Sequence, residues 1–444
     1  MIWMTRYRYL MTGLILSSSV IQIHAIPAFA RKYQTSCITC HSVYPKLNSF
    51  GFAFKFNGFQ FPENDAEMVK EEPVVLGADA YKLVWPRAIW PGSIPGSSPL
   101  AFRINGGFSY DEAKTNTPSE FTVPSAQIFF GGSFSEKISF FGSVLLAKGH
   151  DTNALQMSYL RLNDLFSNIL SEDALNLRIG QFIPDLTTYK NKHSSLTRSL
   201  YALNTYIPSN GSSLRLSHRN FGIKGQVIGV EVNGLISKRL RYAMGLTNGN
   251  ALFGEDNKGK DFYGKVAYKI GGMGFDGSYK VDPNGSSGEN WSEKSMIASL
   301  FAYSASRLDD SDNDVSFIRF GGDINVFFQR LNVVGGFISG IDENYYIPTG
   351  STGNLRFNRK YNLIFGEANF ALFPWLVGVL RYEFADPQEI HSGLPDQESF
   401  NSVSRYIFHA TALYTANLKF FLESLYYPDL PYEFNMYVGL DFAF

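Results

Sequence analysis

The sequence predicts a mainly β chain: an antiparallel outer-membrane β-barrel of about 16 strands (roughly 14–18), preceded by a small helical segment that plugs or caps the lumen. Three observations carry this. From Leu100 onward, short runs of alternating apolar and polar residues are separated by turn residues. Charged residues make up only 18% and aromatic residues 16%, where a soluble protein carries about a quarter charged residues. Beyond the N-terminus, no stretch offers the roughly 18 unbroken apolar residues that a membrane helix needs.

The N-terminus reads as a secretory signal. Arg6 and Arg8 form a basic start, and Leu10 to Ile23 form an apolar core broken by Ser17, Ser18 and Ser19. Cleavage fits after Ala25 or, in Ala28-Phe29-Ala30, after Ala30. The expected organisation is a signal over 1–25, a motif-bearing segment over 26–72, a linker over 73–98 and the barrel over 99–444.

The two cysteines of the chain stand in Cys37-Ile38-Thr39-Cys40-His41, the c-type haem attachment pattern. The spacing has a chemical reason. Two thiols add to the two vinyl groups on one porphyrin edge, and the His that follows is held under the iron as proximal ligand. Attachment takes place outside the cytoplasm, so signal and motif support each other. A thioredoxin-like pair would need a βαβ pattern, which is missing. A zinc site would need about four ligands, and the other histidines (His24, His150, His193, His218, His391, His409) lack ligand spacing.

Downstream, Pro45 suits a first helical turn and Gly58 the residue after the last, which places Leu47, Phe50 and Phe54 on one helical face. Phe50, Phe52, Phe54 and Phe56 would equally allow a strand; the end signals favour helix. A unit of about 40 residues cannot bury a core alone. Haem c is expected to supply that core, with phenylalanines on the porphyrin or on a partner surface. Met68 is the nearest downstream second axial ligand; the alternatives are His150, His193 and His218, or Met68 as a solvent-facing residue of an acidic helix over Glu63–Glu72.

The strand signals are clearest in three runs. Leu175, Leu177 and Ile179 alternate with Asn176, Arg178 and Gly180. Leu240, Tyr242, Met244 and Leu246 alternate with Arg241, Ala243, Gly245 and Thr247. At the end, Phe434, Met436, Val438, Leu440, Phe442 and Phe444 share one face, and Asn435, Tyr437, Gly439, Asp441 and Ala443 the other. Tight connections fall at Ser135–Lys137, Ser237–Lys238, Gly271–Gly272, Gln329–Arg330, Pro374 and Ala416–Asn417. Long ones fall at Asp111–Glu120, Pro184–Gly222, Asn248–Asp261, Asp342–Phe357 and Asp386–Val403. Periplasmic turns are short and external loops long, so both chain ends belong on the periplasmic side. The alternation holds up to Lys280 and back to Ser316; Met296–Leu308 breaks it, so either this run does not span or a neighbouring strand is misplaced.

Two motifs are decoys. Gly272–Gly277 fits G-x-G-x-x-G but sits in a hairpin, without the helix that phosphate binding needs. Asp310-Ser311-Asp312-Asn313-Asp314 opens like a calcium loop, but Val315 and Gly321 stand where Gly and Glu are required. With 39 basic against 40 acidic residues, the charge leaves no footprint for nucleic acid.

The residues 27–60 resemble the fused monohaem cytochrome–porins of the outer membrane, the type found in iron-oxidising bacteria. The resemblance rests on Pro27-Ala28-Phe29-Ala30-Arg31, Thr35-Ser36-Cys37-Ile38-Thr39-Cys40-His41, Pro45-Lys46-Leu47-Asn48-Ser49-Phe50-Gly51 and Phe54-Lys55-Phe56-Asn57-Gly58. It implies an electron-transfer protein with one covalent haem c on Cys37, Cys40 and His41. It would take electrons from extracellular Fe²⁺ or another reduced donor and pass them to a periplasmic cytochrome, with outer-membrane lipid around the barrel. No residue need act as acid or base. External Glu255, Asp256, Asp342 and Glu343 are candidates for concentrating Fe²⁺. The alternatives are a porin with a structural haem plug, and an outward-directed reductase.

Overall fold

The computed structural model describes residues 28–62, 65–70, 72, 74–75, 83–84, 93–94, 99–114, 116–148, 151–189, 196, 226–248, 259–278, 293–308, 314–348, 354–388, 402–429 and 434–444. Among them, sixteen strands close into one antiparallel barrel, from Leu100–Asp111 to Phe434–Ala443. Each strand pairs with its neighbours in sequence, and the last closes on the first, with Asp441 opposite Asn105. The expected barrel and strand number are both present.

Alternation decides which face each residue takes. Along Asp261–Gly271, Tyr263, Lys265, Ala267 and Lys269 are buried, while Phe262, Val266, Tyr268 and Ile270 are exposed. Along Val403–Thr415, Arg405, His409 and Thr411 point in and Tyr406 and Phe408 point out. Phe434, Val438 and Leu440 face out and Asp441 faces in, as the terminal pattern predicts. Charge inside and apolar residues outside reverse the arrangement of a soluble protein; such an outer surface is suited to lipid. Leu300, 65% exposed within Lys294–Leu308, tests this. Leu300→Arg is expected to destabilise the barrel by about 2–4 kcal/mol, read as a lower urea midpoint in lipid vesicles. An unchanged midpoint would mean that this surface does not meet hydrocarbon.

Two expectations need correction, and one open segment is settled. Met296–Leu308 is part of a spanning strand, paired on both sides, so the neighbouring strand was the one misplaced. The error lay just before it: the chain after Gly271 does not continue as a strand towards Lys280. Gly271, Gly272 and Gly277 adopt positive φ, and Gly274 N donates to Ser278 O at 2.8 Å, which makes a turn over Met273–Ser278. A long connection therefore lies on the tight-turn end, and that broke the alternation. Second, Asp342–Phe357 is largely a hairpin rather than a loop. Strands Leu331–Pro348 and Asn354–Phe373 pair out to Pro348 opposite Asn354, carried by the strand formers Tyr345, Tyr346 and Ile347.

Two stretches enter the lumen. One is the N-terminal segment. The other follows strand Asn176–Phe182: Asp185 pairs with Arg241 and Lys265, Thr188 N donates to Asp323, and Tyr189 packs on Phe365 beneath Arg381. Leu196 joins a lumenal cluster with Val43, Val377 and Ile407.

Candidate functional site

Among the described residues, four short helices carry the N-terminal segment: α1 (Ala28–Tyr33), α2 (Cys37–Cys40), α3 (Ser49–Phe56) and α4 (Asp65–Met68). A small hairpin joins α2 to α3, with His41 opposite Leu47. Pro45 lies in the turn of this hairpin rather than in a first helical turn. Helix α3 starts four residues later because Asn48 caps it, its side chain accepting from Gly51 N at 2.8 Å. The expected C-terminal signal holds: Gly58 follows the helix in the left-handed region, φ +70.

Asn48 also ties the helix to the motif. Its side-chain amide donates to Thr39 O at 3.0 Å, and its backbone N–H to Cys40 O at 3.0 Å. Gly51 lets α3 lie directly on α2: a Cβ there would stand 2.0 Å from Cys40 O. The motif is thus held from its own downstream sequence.

Cys37 and Cys40 are unbridged, half-buried and one helical turn apart. Burial pushes the Cys40 thiol up to about 12 and raises that of Cys37 as well, so both are thiols rather than thiolates. His41 follows at once. Burial holds its imidazole down to about 4, against the opposing pull of the Pro45 and Lys46 backbone, so it is neutral. Two free thiols and a neutral imidazole are the donor set that covalent haem attachment requires. Among the described residues, no group of three or more His, Cys, Asp and Glu gathers in metal-binding fashion.

Met68 ends α4 with 41% of its surface exposed, while the adjacent Val69 packs on the ring cluster that includes Cys40. Asp65 fixes α4: it accepts from Tyr33 Oη and Phe61 N, each at 2.7 Å, and pairs with Lys32 at 3.8 Å. His150, His193 and His218, together with Glu255 and Asp256, lie outside the described residues. Asp342 and Glu343 sit on strand Leu331–Pro348, Glu343 exposed.

Of the phenylalanines after the motif, Phe50 and Phe54 pack among other rings, while Phe56 lies beneath Arg161 and Arg241. Tyr33, Phe54 and Phe59 form a buried cluster with Phe29, Phe50 and Phe61. Phe59 stacks on Phe29 at 4.9 Å and on Phe141 of the barrel wall at 5.4 Å. The wall supplies the partner surface that a unit this small lacks by itself.

Sequence reasoning missed the residues that hold the segment to the wall. Tyr44 Oη donates to Asp441 at 2.7 Å, and Lys419 Nζ donates to Tyr44 O at 2.7 Å. Arg103 and Lys419 both pair with Asp441. Lys46 pairs with Glu367 at 3.6 Å, and Ser49 hydrogen-bonds Glu293. Arg161 donates to Lys55 O at 3.2 Å, and Asn57 to Asp276 O at 2.9 Å. The sequence signal was no more than a polar or charged residue on the barrel; the segment residue that each one meets lies 106 to 397 residues away.

No protein-family model matches the chain, and no curated protein sequence matches it. Solved structures do. The anion-selective porin from Comamonas acidovorans is similar over 78% of this chain and 99% of its own, with a TM-score of 0.54 and 10% identity. OmpF of Salmonella typhi, solved as a complex with daunomycin, is similar over 78% and 97%, with a TM-score of 0.51 and 11% identity. At such identity the likeness is one of fold: the chain is a porin-type barrel of sixteen strands.

Proposed function

We propose that this porin-type barrel sits in the outer membrane and conducts electrons, using one covalent haem c on its N-terminal segment. Fe²⁺ outside the cell is the leading substrate. Each ion gives up one electron and becomes Fe³⁺, and the electron leaves to a periplasmic cytochrome. Ferric iron is insoluble near neutral pH, so its formation is best kept outside.

The observation that carries the reading is the contact between the motif-bearing stretch and the inward charges of the barrel: Tyr44 with Asp441 and Lys419, and Lys46 with Glu367. Cys37 and Cys40 would tether the group and His41 would ligate its iron; bound there, haem c supplies a one-electron carrier. The chain's own part is to fix that carrier in an insulating layer. Asn48 and Gly51 hold the Cys40 backbone, and Asp65 and Tyr33 hold α4 beside it. Met68, at the end of α4, would be the segment's candidate for a second iron ligand.

The second reading is a porin whose segment is a structural plug, and the likeness to porins favours it. The third is the same conduit running outward, as a reductase. One preparation separates them. The protein is matured in a host that attaches c-type haem, purified from its membranes, and stained for haem after denaturation. Covalent haem that Cys37→Ala with Cys40→Ala abolishes, and an α-band that grows on adding Fe²⁺, is the expected result. No haem together with solute permeation in liposomes supports the plug. Haem that Fe²⁺ reduces at neither acid nor neutral pH, with a strongly negative midpoint potential, supports the reductase.

A further inference from the structure

A second charged cluster in the lumen lies outside the contacts used above for electron transfer. It lines a cavity between α3 and the inner faces of neighbouring strands. Six cations border it, Lys55, Arg161, Arg178, Arg241, Lys265 and Lys269, against two carboxylates, Asp185 and Glu231. The carboxylates are already engaged. Glu231 pairs with Arg178 at 2.5 Å, and Asp185 is shared by Arg241 and Lys265. Lys269 turns to Glu293, at 2.8 Å.

Arg161 forms no ion pair among the described residues, although only 6% of it is exposed. It donates to Lys55 O at 3.2 Å, Asn233 Oδ1 lies 3.5 Å from its other terminal nitrogen, and its Nε has no acceptor. The Nε atoms of Arg178 and Arg241 lack acceptors too. Three arginines, one of them buried and two partly exposed, thus turn buried, unfilled Nε donors toward one cavity, in surroundings with more positive than negative charge. An unfilled buried donor costs free energy, and an uncompensated buried cation costs more. One ligand class answers both deficits: an anion with several acceptor oxygens, which the guanidinium fork matches.

We propose that this cavity binds a small inorganic oxyanion of the phosphate or sulfate class, with Arg161, Arg178 and Arg241 as its donors. The site also touches the segment. Arg161 and Arg241 lie over the Phe56 ring, 4.9 and 5.0 Å from its centroid. Occupancy therefore steadies α3 against the wall. The proposal stands whether or not haem is attached.

The test is calorimetric titration of phosphate into the purified full chain, in detergent and phosphate-free buffer. One saturable site is expected, displaced by sulfate but not by chloride at equal ionic strength. Arg161→Gln is expected to weaken it at least tenfold and Arg161→Lys less, while Arg330→Gln, on an exposed turn, leaves it unchanged. Phosphate is also expected to slow tryptic cleavage at Lys55 in the wild type. The same titration on Cys37→Ala/Cys40→Ala separates the sources of the oxyanion. Binding there but not in the wild type would assign the site to an acidic group of the attached cofactor and overturn a free oxyanion as its occupant. Saturable binding in neither protein, or equal binding in wild type and Arg161→Gln, overturns the proposal.

Discussion

Gly51→Ala is expected to prise helix α3 off the Cys-x-x-Cys turn while leaving the barrel closed. The added Cβ would stand 2.0 Å from Cys40 O, 2.9 Å from Cys40 C and 3.0 Å from Leu47 Cδ2. The first two are backbone atoms, so no flexible side chain can swing aside. The Cys40 carbonyl is itself committed, accepting from Asn48 N at 3.0 Å. Relief must come from moving α3, which disturbs the Asn48 cap and the Phe54 packing together. Overpacking of this kind costs about 1–3 kcal/mol, and the backbone contact puts this site at the upper end. At about 1.4 kcal/mol per tenfold, local opening should rise roughly 100-fold. Trypsin reads this directly, because Lys46 and Lys55 flank the motif's support and are protected only while the segment is docked. Cleavage there should accelerate about that much, with the barrel's heat-modifiable gel shift unchanged. Equal cleavage rates in variant and wild type would show that α3 does not depend on close approach at Gly51.

How far the sequence reveals this molecule depends on the range of the forces involved. Strand faces were legible because side-chain period and burial are local: the outward Met244 and Leu246, or Phe434, Val438 and Leu440, follow from alternation alone. The motif was legible because its chemistry lies in five consecutive residues. The helix was legible at its end, where Gly58 signals the stop, but not at its start. Pro45 is a fair first-turn residue by local preference, yet the hairpin that pairs His41 with Leu47 claims it. Met296–Leu308 was obscured because turn length, an orientation signal, was read at Gly271–Gly272 without allowing for a long connection on that side. The inward charges Glu367 and Arg381 are buried on their strands, and no local pattern singled them out. Nothing local could tell that Glu367 would meet Lys46, since barrel closure brings them together.

That long-range pair sets the other large effect. Glu367 is fully buried between Lys46 of the segment, at 3.6 Å, and Arg381 of the neighbouring strand, which donates to it at 2.7 and 2.9 Å. Arg381 also reaches Glu383, which accepts from Arg405 at 2.6 Å. The cluster therefore has three cations against two carboxylates. Glu367→Gln keeps the shape and the Asn369 contact but leaves three cations against one. Breaking a buried pair from one side costs about 3–5 kcal/mol, because the remaining charge is stranded away from water. The burden falls on the more movable partner. Lys46 lies on a two-residue strand, whereas Arg381 is fixed in the wall, so Glu367→Gln is expected to undock the segment before it unfolds the barrel. Tryptic release of the segment should rise at least 100-fold, followed by a lower temperature for the barrel's gel-shift transition. Removing both partners behaves differently, since Lys46→Met with Glu367→Gln leaves two cations against one carboxylate and restores the original excess. Deleting both members of a buried pair can be nearly neutral. The double variant should therefore recover most of the barrel's thermal stability, while the segment, now lacking its tie to Glu367, stays easier to cleave than in the wild type. A double variant as unstable as Glu367→Gln alone would show that the loss comes from packing at Glu367 rather than from stranded charge.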